Sequence, residues 1–418
     1  MDLTAAMPMI DLAIIISLAL VLGRLSAMVG QPPVIGEIVA GVLMGPTLFH
    51  GGMSRTLFPN AVRPFLTSAS NLGLIVFVFL IGMELAVGVP RGYKKPVAAI
   101  SLGATLLPFG LGALLAFALA PTYATGGTTS FVLFMGVALS VTAFPVLARI
   151  VSDRGMGGTR AGQLALSAAA ICDLVAWTAL ALVQASVGNA GTHWQILLIV
   201  PFAVLLFAVG KPLLRRLLWH GSTTDRAGLT PARFAVLMVG LLGSAAITQL
   251  IGLHLVFGAF LFGMIMPRDL GPAFSIDMES RLQLGTLLLP VYFVEAGFNV
   301  DLSHIGWDGL LVLPAIVAVA VIGKFGGTLI GARAVGLDWH SSSVVATLMN
   351  TRGLTELIVL TIGLQMGVLS RPLYSIMVLM ALVTTTMSGP LLQVLTRPRH
   401  SQEPADGGRG RTRLARSR

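Results

Sequence analysis

Two apolar segments carry groups that lipid excludes, and these groups have the chemistry of an ion site. The segment 129–151 has Pro145 in its middle, and the segment 160–186 has Asp173 near its centre. Because proline has no N–H, the carbonyl of Val141 loses its partner within the helix. In hydrocarbon that carbonyl must be satisfied by protein, water or an ion. A carboxylate at mid-bilayer costs about 2.5–3.5 kcal/mol on insertion scales, so it is usually retained for a function. The pattern predicts a cation site; a packed proline kink with an internally paired aspartate is the structural alternative.

Four further charges lie inside apolar segments and each needs a reason. Lys324 is in the middle of VAVAVIGKFGGTLIGA, where a lysine must pair, reach the interface or lose its proton. Arg352 and Glu356 are four residues apart, so they can pair along one helix face, which leaves Glu356 available as a relay. Glu295 lies in the outer half of its segment and could line an outward pathway. A purely structural ion pair is the competing interpretation for these charges.

Composition assigns the chain to the polytopic membrane proteins. Its 418 residues are 55% hydrophobic and 11% charged, whereas soluble proteins carry about 25% charged residues. The single cysteine, Cys172, excludes an internal disulfide and a cysteine-based zinc site. The seven histidines do not cluster, so no metal site is indicated, and we predict neither an enzyme nor a cofactor.

The net charge of +10 is concentrated towards the C-terminus. Residues 397–418 hold seven arginines against Glu403 and Asp406. Such a tail could bind nucleic acid, but after a membrane domain it indicates a cytoplasmic anchor on anionic lipid. We therefore predict a transmembrane domain over 1–396, a basic tail over 397–418 that is disordered, and no nucleic-acid partner.

Thirteen apolar spans are predicted, and the charges of their loops give an orientation. The spans are 10–29, 33–50, 68–89, 96–120, 129–151, 160–186, 194–218, 231–250, 253–267, 281–299, 309–334, 341–364 and 372–395. Basic residues follow spans 3, 5, 7, 9 and 11, whereas the loops PTYATGGTTS, VGNAGTHW and QLIGLH contain no lysine or arginine. Since Lys and Arg mark the cytoplasmic side, the N-terminus is predicted outside and the C-terminus inside the bacterial plasma membrane.

Internal symmetry provides the second organising pattern. If span 7 is a linker, spans 1–6 and 8–13 form two six-helix halves that enter the membrane from opposite sides. The fifth span of each half is then interrupted: the first by SVTAFP, the second by Asn350, Thr351 and Gly353 within TLMNTRGLTELIVL. Inverted repeats with matched broken helices are typical of secondary transporters with a midplane site. The predicted fold is thus all-α, with two crossing discontinuous helices.

Several motifs resemble one family of transporters. QPPVIGEIVAGVLMGP, FLIGMELAVG, SVTAFPVLARI, the helix with CDLVAW, and NTRGLTELIVLTIG are similar to the cation:proton antiporter-2 family of monovalent cation/proton exchangers. The resemblance covers about residues 10–395. It implies thirteen helices, a core and a dimerisation domain, a homodimer, and elevator-like movement of the core. It also implies that Asp173 is the essential ion-binding aspartate, Thr142 lies in the first unwound segment, and Lys324 is the core lysine.

Two departures from that family pattern bear on mechanism and regulation. Cys172 stands where electrogenic members carry a first aspartate and many others carry asparagine. With one site carboxylate, one-for-one electroneutral exchange is expected, although an ionisable Lys324 could release a second proton. Potassium members often end in a nucleotide-binding domain, whereas this chain ends in the tail, so such regulation would need a separate subunit.

The sequence therefore predicts an antiporter that exchanges sodium or potassium for protons by competition at Asp173. The residues assigned to ion or proton binding are Asp173, Thr142, Val141 and Cys172; those assigned to charge compensation or relay are Lys324, Glu356, Arg352, Asn350 and Glu295. Two alternatives stay open. Another small solute, such as an ionophore, could be exported on the same fold, or the protein could be a channel or sensor.

Overall fold

The structure is a computed structural model whose described part is built from α-helices. It describes residues 3–46, 59, 62–85, 92–125, 127–187, 198–219, 229–267, 277–278, 280–282, 287–303 and 307–396. The predicted basic tail, 397–418, lies outside the described residues. The predicted all-α class is confirmed.

Seventeen α-helices are numbered here in chain order over the described residues. The first nine are α1 (Leu3–Met28), α2 (Pro33–Met44), α3 (Arg63–Leu85), α4 (Lys94–Tyr123), α5 (Thr128–Ser140), α6 (Phe144–Asp153), α7 (Arg160–Val187), α8 (Ile199–Leu205) and α9 (Lys211–Trp219). The others are α10 (Pro231–Leu250), α11 (Leu255–Met264), α12 (Leu289–Phe298), α13 (Trp307–Val321), α14 (Gly327–Ala334), α15 (Trp339–Met349), α16 (Leu354–Gln365) and α17 (Arg371–Thr396). π-Helical turns at Leu206–Gly210 and Ile322–Gly326 join α8 to α9 and α13 to α14.

The predicted apolar spans each overlap helix in the described residues. Seven helical stretches are long and apolar enough to cross a membrane: Ala6–Met28, Arg63–Met83, Lys94–Tyr123, Arg160–Val187, Pro231–Leu250, Leu311–Ala334 and Arg371–Leu395. The remaining predicted spans contain shorter or interrupted helices. The span 129–151 is divided into α5 and α6, and the span 341–364 is divided into α15 and α16.

The helices begin where the local sequence favours it. Pro231 occupies the first position of α10, where a missing N–H costs nothing, and Thr230 caps this helix by accepting a hydrogen bond from the Arg233 backbone. Asp338 caps α15 by accepting from the Ser341 N–H at 2.9 Å. Side-chain oxygens at this position satisfy backbone donors that the first turn leaves unpaired.

All the described helices except α8 and α9 pack in two groups. One group, called the scaffold here, contains α1, α2, α3, α10, α11 and α12; the other, called the core, contains α4 to α7 and α13 to α17. Backbone contacts within each group are extensive and those between the groups are sparse. Apolar side chains of both groups belong to one buried cluster, in which Trp177 of α7 packs against Phe257 of α11.

Glycines bring the helices of each group into close contact. In the core, a Cβ on Gly327 of α14 would lie 2.1 Å from the carbonyl oxygen of Gly103 on α4. In the scaffold, a Cβ on Gly41 of α2 would lie 2.1 Å from the carbonyl oxygen of Val294 on α12. Small residues at such crossings are how membrane helices gain packing energy without a hydrophobic drive from water.

Candidate ion-binding site

Two unwound segments cross in the core. Residues 141–143 separate α5 from α6, residues 350–353 separate α15 from α16, and the Ala143 N–H donates to the Thr351 carbonyl at 3.3 Å. The Thr385 hydroxyl of α17 donates to the Arg352 carbonyl at 2.6 Å. Backbone groups that helix breaks would otherwise leave unpaired are therefore partly satisfied by the crossing itself.

Two cations meet the C-terminal end of α5. Arg352 donates to the carbonyls of Ala138 at 3.4 Å and Leu139 at 2.6 Å, and Lys324 donates to the Ser140 carbonyl. The last carbonyls of a helix carry its partial negative charge, so these positive side chains stabilise the broken end. Lys324 also donates to the Ala104 carbonyl of α4 at 2.9 Å.

Asp173 lies beside this crossing and is fully buried. It is 0% exposed, and neither carboxylate oxygen has a hydrogen-bond partner. The carboxylate faces Lys324 and the N–H of Phe144, the first residue of α6, but neither group is within hydrogen-bonding geometry of it. A buried carboxylate without partners is costly unless a proton or a cation neutralises it. Among the residues that the structure describes, none forms a salt bridge with Asp173.

Further oxygen atoms at the crossing also lack partners. The hydroxyls of Thr142 and Thr351 and the side-chain carbonyl of Asn350 are buried without hydrogen bonds. In the part of the chain that the structure describes, no donor reaches the carbonyl of Val141, which α6 cannot satisfy because it begins with Phe144 and Pro145. Carboxylate, hydroxyl and carbonyl oxygens are the ligands that hard cations prefer.

Arg352 and Glu356 form the ion pair that their spacing predicts. Arg352 Nη1 and Glu356 Oε1 are 2.6 Å apart, and both side chains are 0% exposed. Glu356 Oε2 has no hydrogen-bond partner. Arg352, in the unwound segment, thus binds both Glu356 of α16 and the carbonyl end of α5.

A cavity of about 280 Å³ opens next to the crossing. It lies between the α1–α2 turn, α6 and α17, and its lining includes Gln31, Val146, Arg149, Arg154, Thr385 and Gly389. Two of these residues connect it to the site: Thr385 holds the Arg352 carbonyl, and Val146 packs against Gly353. The cavity therefore reaches the layer of residues directly beside the crossing.

Comparison with known proteins decides the family. Residues 14–397 match the family described as "Sodium/hydrogen exchanger, transmembrane". The chain belongs to this family. It is accordingly an integral membrane transporter and not an enzyme, its substrates are the transported ions and it needs no cofactor; the predicted resemblance is confirmed.

Individual relatives of this exchanger agree with the family match. The chain is 35% identical to the Na⁺/H⁺ antiporter NhaS4 of Synechocystis sp. over 93% of the chain and 97% of that protein. It is 34% identical to the K⁺/H⁺ antiporter 1 of Saccharomyces cerevisiae over 88% of the chain, and 35% identical to the cation/H⁺ antiporter 20 of Arabidopsis thaliana over 93%. The chain spans 44% and 48% of those two proteins.

A solved structure has the same fold. The sodium proton antiporter MjNhaP1 from Methanocaldococcus jannaschii superposes with a TM-score of 0.65, covering 94% of this chain and 97% of that one, at 15% identity. The overall arrangement of the exchanger fold is therefore shared along nearly the whole chain.

Two of the predicted site residues of this exchanger lie away from the unpartnered oxygens. The Cys172 thiol is directed to α4, where it accepts from the Thr105 hydroxyl at 3.4 Å and contacts the Ser101 carbonyl at 3.8 Å. Glu295 lies on α12 of the scaffold, where it accepts from Thr67 and Ser70.

One helical turn and two contacts at the site escaped the sequence reasoning. The π-helical turn that holds Lys324 has no distinct sequence signature beyond its glycines. The capping of α5 by Arg352 could have been inferred from an arginine placed within a helix break. The Thr385 hydroxyl bond to the Arg352 carbonyl connects residues 33 positions apart, and nothing local indicates it.

Proposed function

We propose that this exchanger transports a monovalent cation, sodium or potassium, against protons, and that the two compete for Asp173. The observation that carries the proposal is a fully buried carboxylate with two unpartnered oxygens beside two crossing helix breaks. The names of the relatives, which are sodium, potassium and cation antiporters, support the same substrates.

Competition follows from the charge of a single carboxylate. A proton or a cation neutralises Asp173, but both cannot do so together, so each displaces the other. A charged empty site is costly to carry through hydrocarbon, and this cost suppresses leak. The unpartnered oxygens of Thr142, Asn350 and Thr351 would complete the coordination of the cation, while Arg352 and Lys324 keep the carbonyls at the end of α5 neutralised.

The arrangement of the core also favours one-for-one exchange. Lys324 donates to two backbone carbonyls and forms no hydrogen bond with Asp173, and Cys172 replaces any second acid. Only one carboxylate then changes partner in a cycle. We expect proton movement driven by a cation gradient to be unaffected when the membrane potential is clamped.

The wider architecture of this exchanger is also part of the proposal. Thirteen membrane crossings in two inverted halves, a homodimer and elevator-like movement of the core follow from the predicted symmetry and the family. The cavity is lined by Arg149 and Arg154, which the charge rule assigns to the cytoplasmic side. On this orientation, the cavity opens towards the cytoplasm. Lipid binding by 397–418 and a separate regulatory subunit stay predictions.

The test is exchange in proteoliposomes, with Asp173→Asn compared with the wild type. Proton flux is followed with a pH-sensitive dye after additions of sodium, potassium, rubidium and lithium, and Asp338→Asn supplies the same change at an exposed position. Asp173→Asn should reduce cation-driven proton flux to that of empty vesicles, and Asp338→Asn should not. Cation-dependent flux that survives in Asp173→Asn would overturn the proposal. Proton flux that requires another solute but no cation would favour solute export. Cation flux that needs no proton gradient and shows no competition between cation and proton would favour a channel.

A further inference from the structure

A second carboxylate lies at the end of the molecule opposite the cavity. Glu295 on α12 is next to Ala296, whose carbonyl accepts from the Tyr374 hydroxyl at 2.9 Å. Gly389, which lines the cavity, is fifteen residues from Tyr374 on α17. At 1.5 Å per residue, this separates the two regions by about 22 Å along the helix. Glu295 therefore belongs to the side that the cavity does not reach.

Neutral hydroxyl groups surround Glu295. The Thr67 hydroxyl donates to Oε1 at 2.5 Å and the Ser70 hydroxyl donates to Oε2, both from α3. No ion pair holds this carboxylate among the described residues. The partly buried Glu295 carboxylate thus accepts hydrogen bonds from the neutral hydroxyls of Thr67 and Ser70.

A third polar group lies on the same helix. Tyr292, one helical turn before Glu295 on α12, is 5% exposed, and its hydroxyl has no hydrogen-bond partner. Residues three apart on a helix lie on neighbouring parts of one face. An unpartnered buried hydroxyl is costly, so its oxygen is available to a positively charged ligand.

The same end of the molecule is closed between scaffold and core. Gln184 of α7 donates to the Gly252 carbonyl at 3.0 Å and accepts from the His254 N–H at 3.4 Å. Trp177, one turn after Asp173, packs edge-on against Phe257 of α11 with ring centroids 5.9 Å apart. Asp173 can reach this side only after these contacts break, and a cation then passes from or to the region of Glu295.

We propose that Glu295, Thr67, Ser70 and Tyr292 form a second binding site for a monovalent cation, on the pathway away from the cavity. The carboxylate supplies charge, and the three hydroxyl oxygens supply the neutral ligands that a hard cation takes in place of water. The site raises the local concentration of the cation where the core delivers or receives it. This inference rests on the proposed function of Asp173 and extends the pathway on one side of it.

The first experiment measures cation binding without transport. In the Asp173→Asn protein, binding of radioactive sodium and potassium by equilibrium dialysis should show one remaining site, and Asp173→Asn combined with Glu295→Gln should show none. The matched control combines Asp173→Asn with Glu37→Gln, because Glu37 is a scaffold carboxylate that faces Arg149 near the cavity. This control should retain the remaining site. No binding in Asp173→Asn, or binding that survives Glu295→Gln, would overturn the inference.

The second experiment measures sidedness in proteoliposomes of known orientation. Glu295→Gln keeps the size of the side chain and removes its charge, and it should raise the KM for the cation about threefold to tenfold when the cation is added on the Glu295 side. The KM on the cavity side and the maximal rate should stay unchanged. If Glu295 had a purely structural role, the KM would change equally on both sides. Glu295→Asp replaces Glu295→Gln if the latter does not fold. If the wild type shows no exchange, the proposed function is refuted. The Glu295 site is tested separately, by the binding experiment.

Discussion

Arg352 donates to the Leu139 carbonyl at 2.6 Å, so an arginine within the second helix break caps α5, the helix that precedes the first break. The same guanidinium is paired with Glu356 at 2.6 Å. Arg352 therefore neutralises negative charge on both discontinuous helices, at the end of α5 and at Glu356 of α16. The crossing of the two helices depends on this one side chain.

Removing one partner of this buried pair should be severely destabilising. Arg352→Met leaves Glu356 buried without a counter-charge and leaves two carbonyls of α5 unpaired, which should lower the free energy of unfolding by about 3–5 kcal/mol. Unfolding in detergent, followed by tryptophan fluorescence, measures this loss. The double variant Arg352→Met, Glu356→Leu should recover part of it, because no uncompensated charge remains. A double variant less stable than Arg352→Met would contradict the coupling.

Lys324 should contribute to stability through backbone carbonyls. Lys324→Met leaves the carbonyls of Ala104 and Ser140 without donors in a buried site, at a cost of about 1–3 kcal/mol for each unsatisfied group. We expect a lower unfolding temperature together with reduced exchange. Lys211→Met on α9, where the side chain is exposed, is the control and should leave the unfolding temperature unchanged. Equal stability of Lys324→Met and the wild type would show that these bonds are unimportant.

The close approach of α14 to α4 should be sensitive to one methyl group. In Gly327→Ala the new Cβ would lie 2.1 Å from the Gly103 carbonyl oxygen, so a helix must shift at a cost of about 1–3 kcal/mol. Gly326→Ala is the matched control, since its Cβ would meet only the Leu107 side chain at 3.7 Å. Thermal unfolding of the two variants should differ clearly. Since Lys324 is three residues away, exchange should also fall in Gly327→Ala alone.

The cap of α15 should make a pH-dependent contribution outside the membrane. Hydrogen bonds from the backbone and side chain of Ser341 lower the pKa of Asp338 below 3.8. A lowered pKa in the folded state means that the stabilisation is complete above the pKa of the unfolded chain and is lost as the pH falls through the folded pKa. The unfolding temperature of Asp338→Ala should therefore be below that of the wild type at pH about 7, and the difference should shrink near pH about 3. A difference that is constant over this range would contradict the assignment.

Composition, together with the positions of charges and helix-breaking residues, was sufficient to predict much of this protein's architecture. The apolar spans, the two interruptions and the lone Asp173 were all predictable, because a membrane helix must satisfy its own backbone and exclude charge over a known length. Each departure from that rule is therefore visible in the sequence. The spacing of Arg352 and Glu356 predicted their pairing on one helix face. The pair forms, although Arg352 lies in the unwound segment and Glu356 in α16.

Only the tertiary structure decided which groups meet. Ala143 and Thr351 are far apart in the chain, as are Lys324 and Ser140, and their hydrogen bonds exist because the two broken helices cross. Glu295 was expected on an outward pathway, but its hydroxyl partners Thr67 and Ser70 come from another helix. Periodicity describes a helix relative to its own axis and contains no information on which helix lies beside it. Packing between helices therefore determines where the charges and oxygens of this protein converge.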